Sequence, residues 1–188
     1  MRNKYFTLVG SRHISEKEYL TLFGLAKYFA QHGYILRSGK AEGADTAGEL
    51  GFRESTYLKP EIYIPWENFK GGSVLLGDEI VLPMPKETLE YVKKIHPAFE
   101  RLSQGALKLH QRNIHQVLGL DLNTPSEVLI ACADFKFDRY NVERVKGGTA
   151  TAWNLAKEFN IPCINIRNRS KEEILTEFRK IYGGDVGK

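Results

Sequence analysis

Short apolar runs alternate along the chain with longer segments in which apolar side chains recur every three or four residues. The runs are typical of buried strands, and the longer segments are typical of helices with one buried face. The predicted strands cover residues 5–9, 34–38, 61–65, 127–133 and 162–166, and the predicted helices begin near residues 15, 44, 86, 97, 149 and 170. This alternation predicts a doubly wound α/β fold, with a mainly parallel five-stranded sheet and helices on both faces.

Two stretches, 66–85 and 134–146, have no clear hydrophobic period. Irregular stretches of this length inside a compact domain are usually functional or mobile. We therefore predict one domain over residues 1–182, with insertions at these two places and a tail at 183–188.

The composition is that of an ordinary globular protein. Hydrophobic residues make up 42% of the 188 residues and charged residues 27%, which excludes a disordered or collagen-like chain. No apolar run approaches the roughly 18 residues that span a bilayer, and no signal-peptide pattern follows the first residues. We therefore expect a cytoplasmic protein that does not contact a membrane. The net charge of +4 permits a phosphate-bearing ligand without requiring a nucleic acid.

The two cysteines, Cys132 and Cys163, each lie in an apolar, strand-like run. They form no Cys-x-x-Cys pair, and no histidine spacing completes a zinc pattern. We expect buried, inert thiols, no metal site and no cofactor.

Three of the predicted strand-to-helix turns are rich in glycine and hydroxyl side chains. In an open parallel sheet such turns lie at the carboxyl ends of the strands, where ligands bind. Glycine lets backbone amides approach an anion, and a helix N-terminus adds unpaired N–H donors. The candidate ligand-binding residues in these turns are Gly10, Ser11, Arg12, Ser38, Gly39, Gly43, Ala44, Asp45, Gly147, Gly148, Thr149 and Thr151.

Two further assignments stay open at this stage. Asp45 either hydrogen-bonds a ribose hydroxyl or is favoured by the dipole of the helix that it begins. Arg112, with Asn113 beside it, either reaches a ligand phosphate from the far side of the cleft or forms an ion pair on a solvated helix face. We include both Arg112 and Asn113 among the candidate ligand-binding residues.

Two common phosphate-binding motifs are missing. Gly39-Lys40 is followed by Ala41 rather than by Ser or Thr, so the P-loop pattern is incomplete. No G-x-G-x-x-G follows the first predicted strand. P-loop nucleotide hydrolases and ordinary NAD-dependent dehydrogenases are therefore disfavoured.

The three turns together resemble the core of the DprA/Smf DNA-processing proteins. The matching residues are Gly10-Ser11-Arg12, Ser38-Gly39-x-Ala41-x-Gly43-x-Asp45 and Gly147-Gly148-Thr149-x-Thr151-Ala152. That core belongs to the SLOG superfamily, which also contains LOG-type phosphoribohydrolases and the ligand-sensing domain of Thoeris effectors. The segment 96–113 is similar to small stand-alone, often phage-borne, DprA-like proteins. The resemblance implies a Rossmann-like fold and a pocket for a nucleotide or nucleotide-derived ligand.

Three functions follow from the resemblance. The first is a protein that binds a nucleotide-derived signalling ligand, such as ADP-ribose or a cyclic nucleotide, and sequesters it as a phage counter-defence protein. The second is a recombination mediator that binds single-stranded DNA. The third is a LOG-like phosphoribohydrolase, but Asn154 stands where that family has its catalytic Glu, and Asn cannot act as a carboxylate acid or base. We therefore favour binding without catalysis, name no catalytic residue, and expect the homodimer or larger homo-oligomer that is common in the family.

Overall fold

The structure, a computed structural model, describes residues 3–69 and 78–182. The strands in these ranges are β1 (Lys4–Gly10), β2 (Tyr34–Ser38), β3 (Glu61–Ile64), β4 (Glu79–Val81), β5 (Val128–Cys132), β6 (Phe135–Phe137), β7 (Glu143–Val145) and β8 (Cys163–Asn165). The helices are α1 (Glu16–Gln31), α2 (Ala44–Arg53), α3 (Lys86–Ile95), α4 (Gln104–Leu118), α5 (Thr149–Glu158) and α6 (Lys171–Tyr182), and a 3-10 turn covers Phe99–Arg101.

In the part of the chain that the structure describes, six strands form one parallel sheet in the order β4-β3-β2-β1-β5-β8. The chain builds outward from β1 to β4 on one side and then returns to place β5 on the other side of β1. The strand order therefore reverses between β1 and β5, which is the topological switch point where open α/β sheets bind ligands. Gly10 pairs with Cys132 at the ends of these two strands, so both open onto the same edge.

Helices cover both faces of the sheet, and each face has its own apolar core. On one face α1, α2 and α6 contribute Phe29, Phe52 and Phe178, which cluster with Phe6 of β1. On the other face α3, α4 and α5 pack against alternate strand residues such as Leu129. Strands buried on both faces need continuous apolar runs, which is why such runs mark these strands in the sequence. In the described ranges no helix is both long enough and apolar enough to cross a bilayer.

The predicted α/β fold is confirmed, but the predicted number of strands is wrong. The sixth strand, β4, lies at the sheet edge inside the stretch 66–85 that the sequence marked as irregular. Its Val81 is exposed and its Glu79 forms an ion pair with Lys40, so no apolar run reveals it. Residues 70–77 of this stretch and the predicted tail at 183–188 lie outside the described residues.

Two other segments differ from the sequence prediction. The stretch 134–146 contains an antiparallel hairpin, in which β6 pairs with β7. The helix predicted over 97–118 is shorter, because α4 begins only at Gln104, after the 3-10 turn. Its N-cap is Ser103, whose hydroxyl accepts the N–H of Ala106 at 3.3 Å.

The cysteines fit the predicted structural role, with one difference. Cys132 is fully buried, whereas Cys163 is only half-buried. Burial raises the pKa of Cys132 to about 12 and that of Cys163 to about 11, so both thiols stay protonated near neutral pH.

Candidate functional site

A cleft of about 450 Å³ opens at the carboxyl ends of β1 and β5. It is lined by Val9, Gly10, Ser11, Arg12, Ala41, Asp45, Ala106, Leu109, His110, Arg112, Asn113, Gln116, Ala133, Asp134, Lys146, Gly147, Gly148 and Thr149. All three predicted turns therefore meet here, together with the helix that carries Arg112 and Asn113. The other candidate residues, Ser38, Gly39, Gly43, Ala44 and Thr151, do not line the cleft.

The first turn uses much of its backbone to hold the protein together. The Ser11 N–H donates to the carbonyl of Cys132 at 2.7 Å, and the Ser11 carbonyl accepts the N–H of Ala44 at 3.1 Å. Gly43, with φ of +74°, lets the second turn approach this closely, because a Cβ there would lie 2.4 Å from the carbonyl oxygen of Arg12. The Ser11 and Ala44 amides are thus already engaged, and the group that the first turn offers a ligand is the exposed Arg12 side chain.

Asp45 holds the second turn in place. It is 2% exposed, and its Oδ2 accepts the backbone N–H groups of Gly39 and Ala41, each at 3.2 Å. Burial raises the pKa of Asp45 to about 6, although the charge of Arg112 and the backbone hydrogen bonds lower it. Asp45 lines the cleft, but these amides already occupy its Oδ2.

Arg112 and Asn113 connect α4 to the other two turns. Arg112 is 8% exposed, so it does not lie on a solvated helix face. Its Nη1 donates to the carbonyl of Gly39 at 2.6 Å, and its Nη2 donates to Oδ1 of Asn113 at 3.1 Å. The Asn113 Nδ2 in turn donates to the carbonyl of Gly148 at 2.9 Å. These contacts fix the relative positions of the second and third turns.

The third turn is the part of the cleft most open to a ligand. Gly147 has φ of +70°, and a Cβ added to Gly147 or Gly148 would have no contact within 4 Å among the described residues beyond its chain neighbours. The first turn of α5 follows at once. The N–H groups of Ala150 and Thr151 already donate to the carbonyls of Gly147 and Gly148, at 3.1 and 3.4 Å, so the amides that this turn can offer a ligand are those of Gly148 and Thr149. These amides and the helix dipole favour an anion. The exposed Lys146 precedes the turn and adds a positive charge.

Thr151 and His110 fasten α5 to α4 rather than facing a ligand together. Thr151 is 2% exposed, and its Oγ1 lies 2.7 Å from Nδ1 of His110. Burial lowers the pKa of His110 to about 4, so this imidazole is neutral at pH 7.

Sequence reasoning missed several residues of the cleft. Lys146, His110 and Gln116 line it but were not among the candidates, and the same is true of an apolar wall. That wall consists of Val9, Ala106, Leu109 and Ala133. Helical spacing was the available signal, because Leu109, Asn113 and Gln116 follow one another at i, i+4 and i+7.

Comparisons with known proteins agree on the fold. No protein-family model and no curated protein matches the sequence. Among solved structures, the molybdenum cofactor binding protein from Rippkaea orientalis is similar over 96% of this chain and 85% of its own, with a TM-score of 0.56 at 15% identity. The molybdenum cofactor carrier protein from Chlamydomonas reinhardtii matches over 97% and 87%, with a TM-score of 0.52 at 16% identity.

DNA processing protein A from Helicobacter pylori is also similar, over 94% of this chain and 73% of its own, with a TM-score of 0.54 at 16% identity. The chain is therefore a Rossmann-like α/β protein of the kind that DprA and the molybdenum cofactor carriers share. At these identities the likeness establishes the fold and leaves the ligand to be argued from the cleft.

Proposed function

We propose that this protein binds a small, phosphate-bearing ligand derived from a nucleotide in the cleft between the ends of β1 and β5. The observation that carries the proposal is the open turn from Gly147 to Thr149. This turn presents a helix N-terminus at the topological switch point, in the same cleft as the Arg12 side chain. Helix N-termini at such positions bind phosphate groups in many α/β proteins.

The charges of the cleft favour an anion at this turn. Arg112 and Asp45 are both buried and lie close enough for their charges to interact, so they largely compensate each other. Asp134 forms an ion pair with Nε of Arg167 at 2.9 Å. Because Arg167 also pairs with Glu18, it does not cancel the charge of Asp134 alone. The lining still carries a net positive charge, since Arg12, Arg112 and Lys146 outnumber Asp45 and Asp134, and Arg12 and Lys146 are its exposed cations.

The remainder of the cleft suits an organic group. Its volume of about 450 Å³ falls within the range of small-molecule sites, roughly 300–1,000 Å³. The apolar wall formed by Val9, Ala106, Leu109 and Ala133 can pack against a flat ring system. An ADP-ribose-like molecule or a cyclic nucleotide has both parts that such a cleft requires.

The comparisons supply two further ligands to test. Two of the similar structures bind the molybdenum cofactor and one binds single-stranded DNA. Both of these ligands carry phosphate, so both share the chemistry proposed for the turn. A protein that holds its ligand without cleaving it acts by sequestration or delivery.

Binding without hydrolysis is supported by the carboxylates of the cleft. Asn154 lies on α5 and does not line the cleft. Oδ2 of Asp45 accepts two backbone N–H groups, and Oδ1 of Asp134 pairs with Arg167. These contacts leave neither carboxylate with both oxygens free, which supports binding rather than glycosidic hydrolysis.

Calorimetric titration with ADP-ribose, cyclic AMP, the molybdenum cofactor and a single-stranded oligonucleotide tests the proposal. We expect the tightest small ligand to bind about tenfold or more weakly to Arg12→Ala and to Lys146→Ala, since each change removes a charge-assisted contact.

Matched controls are Arg179→Ala on α6 and Lys136→Ala on β6, which change the net charge equally at exposed positions away from the cleft. These two variants should bind like the wild type. An absence of heat from every probe with folded protein would contradict the proposal, and so would unchanged binding by both cleft variants.

A further inference from the structure

Gln116 is a buried amide on the cleft wall that lacks a hydrogen-bond partner. The residue is 0% exposed, and neither Nε2 nor Oε1 has a partner among the described residues. Buried amides in native proteins are nearly always paired, because an unpaired one destabilises the fold. Gln116 therefore indicates a group that the folded chain does not itself supply.

The position of the Gln116 side chain is well defined. A Cβ at Gly39 would lie 2.8 Å from Nε2 of Gln116 and 2.5 Å from Nη1 of Arg112. The Gln116 amide and the Arg112 guanidinium therefore fill the space that this glycine leaves open. The Gln116 carbonyl accepts the hydroxyl of the buried Thr7 at 2.6 Å, which fixes this turn of α4 to β1. The amide therefore lies beside Arg112, where α4 meets the sheet.

The other polar side chains that α4 sends to the cleft are engaged. His110 contacts Thr151, Arg112 donates to the Gly39 carbonyl, and Asn113 donates to the Gly148 carbonyl. The Gln116 amide differs from all of them in having no partner within the described chain. Its last torsion is soft, so the amide plane can rotate in place and present either its N–H groups or its carbonyl to a ligand.

We propose that Gln116 hydrogen-bonds the edge of a planar heterocyclic base in the bound ligand, of the purine or pterin type. A glutamine amide has an N–H donor and a carbonyl acceptor side by side, which match an edge such as N6 and N7 of adenine. The proposal rests on the proposed function. With the phosphate at the turn from Gly147 to Thr149, the base lies against α4 and its apolar wall.

The test compares Gln116→Met with the wild type, using probes with and without a base. The probes are ADP-ribose, 6-hydroxymethylpterin phosphate and ribose 5-phosphate. We expect the tighter of the two base-bearing probes to bind Gln116→Met about tenfold more weakly than the wild type, whereas the affinity for ribose 5-phosphate stays unchanged. The base of that tighter probe identifies the type of base that the cleft prefers. The melting temperature of the ligand-free variant should rise, since methionine removes an unpaired amide at nearly constant volume.

Gln111→Met is the matched control. Gln111 is another buried glutamine of α4, but its Nε2 donates to Oγ1 of Thr88 at 2.9 Å and it lies outside the cleft. This variant should have a lower melting temperature and unchanged affinity for every probe. The same substitution should therefore raise the melting temperature at Gln116 and lower it at Gln111.

Several results would overturn the role of Gln116. They are a lower melting temperature in Gln116→Met, an equal loss for ribose 5-phosphate, and unchanged affinity for the base-bearing probes. Wild-type protein that binds ribose 5-phosphate as tightly as both base-bearing probes would also overturn it while leaving the phosphate site standing. If the wild type binds no probe, the proposed function fails together with this inference.

Discussion

At the scale of single residues, the glycines around the cleft fall into two kinds. Gly10 and Gly39 are packed so closely that an added Cβ would lie within 2.6 Å of a neighbouring atom. At Gly147 and Gly148 no atom of the described residues, apart from their chain neighbours, lies within 4 Å of that position. The first kind allows turns and helices to pack against each other, whereas the second leaves room for something outside the chain.

Substitution of these glycines separates the two roles. Gly148 has φ of −60°, which alanine adopts without strain, so Gly148→Ala should leave stability unchanged or raise it by up to ~1 kcal/mol. Its methyl group would obstruct the approach of a phosphate, and we expect ADP-ribose affinity to fall about tenfold or more. Urea unfolding and calorimetry measure the two effects.

Gly10→Ala is the contrasting variant. Its Cβ would lie 2.6 Å from both the Ala44 Cβ and the Cys132 carbonyl oxygen, so it should destabilise the protein by about 1–3 kcal/mol.

Wild-type affinity in Gly148→Ala would show that no ligand approaches the turn from Gly147 to Thr149.

Residue identity alone showed only part of the cleft. Gly147, Gly148 and Arg12 could be predicted because glycine-rich strand-to-helix turns fall at one known edge of a parallel sheet. Gln116 could not, because a lone glutamine in a helix becomes informative only once its partners are known. The same limit applied to Asp45, whose role depends on amides that the folded second turn brings to it.

At the scale of elements, α4 is the helix that organises the cleft. Four consecutive buried residues each contact a different neighbour, which explains an otherwise unusual polar run in a helix core. His110 contacts Thr151 of α5, and Gln111 contacts Thr88 of α3. Arg112 contacts Gly39 of the second turn, and Asn113 contacts Gly148 of the third turn. Movement of α4 would therefore displace both sides of the cleft together.

The contact between α4 and α5 predicts acid sensitivity. Burial lowers the pKa of His110 to about 4, against about 6.5 in an unfolded chain. Between these values the unfolded chain binds a proton that the folded protein does not, so the stability present above pH 6.5 is lost as the pH falls toward 4. The full difference amounts to ~3 kcal/mol.

Urea unfolding of the wild type and of His110→Gln at pH 7, 5.5 and 4 measures this effect. Glutamine does not titrate and can still hydrogen-bond Thr151. As the pH falls, the wild type should therefore lose more unfolding free energy than His110→Gln does. Parallel pH profiles for the two proteins would contradict this account of His110.

The elements differ in how far the sequence could predict them. Strands buried on both faces, such as β5, appear as continuous apolar runs and were located within a residue or two. The edge strand β4 has three residues and an exposed Val81, so neither length nor hydrophobicity marks it. The hairpin of β6 and β7 lies outside the main sheet, and its residues are mostly exposed.

At the scale of the whole molecule, part of the basic charge is paired within the described residues. Arg37 pairs with Glu61, Lys40 with Glu79, and Arg169 with Glu143. The net charge is only +4, and the exposed cations that line the cleft are Arg12 and Lys146. This arrangement suits a compact anion better than the long backbone of a nucleic acid.

The salt dependence of oligonucleotide binding tests this distinction. Contact with Arg12 and Lys146 alone neutralises about two phosphates, which gives a slope of about −1.4 for log K against log salt on a single strand. We therefore expect fluorescence anisotropy with a labelled oligonucleotide to give weak binding and a slope no steeper than about −2. Replacing both Arg12 and Lys146 by alanine should remove most of that slope, whereas Arg179→Ala should not. A slope of about −4 or steeper would require a basic track several nucleotides long, and the cleft would then be one part of a DNA-binding surface.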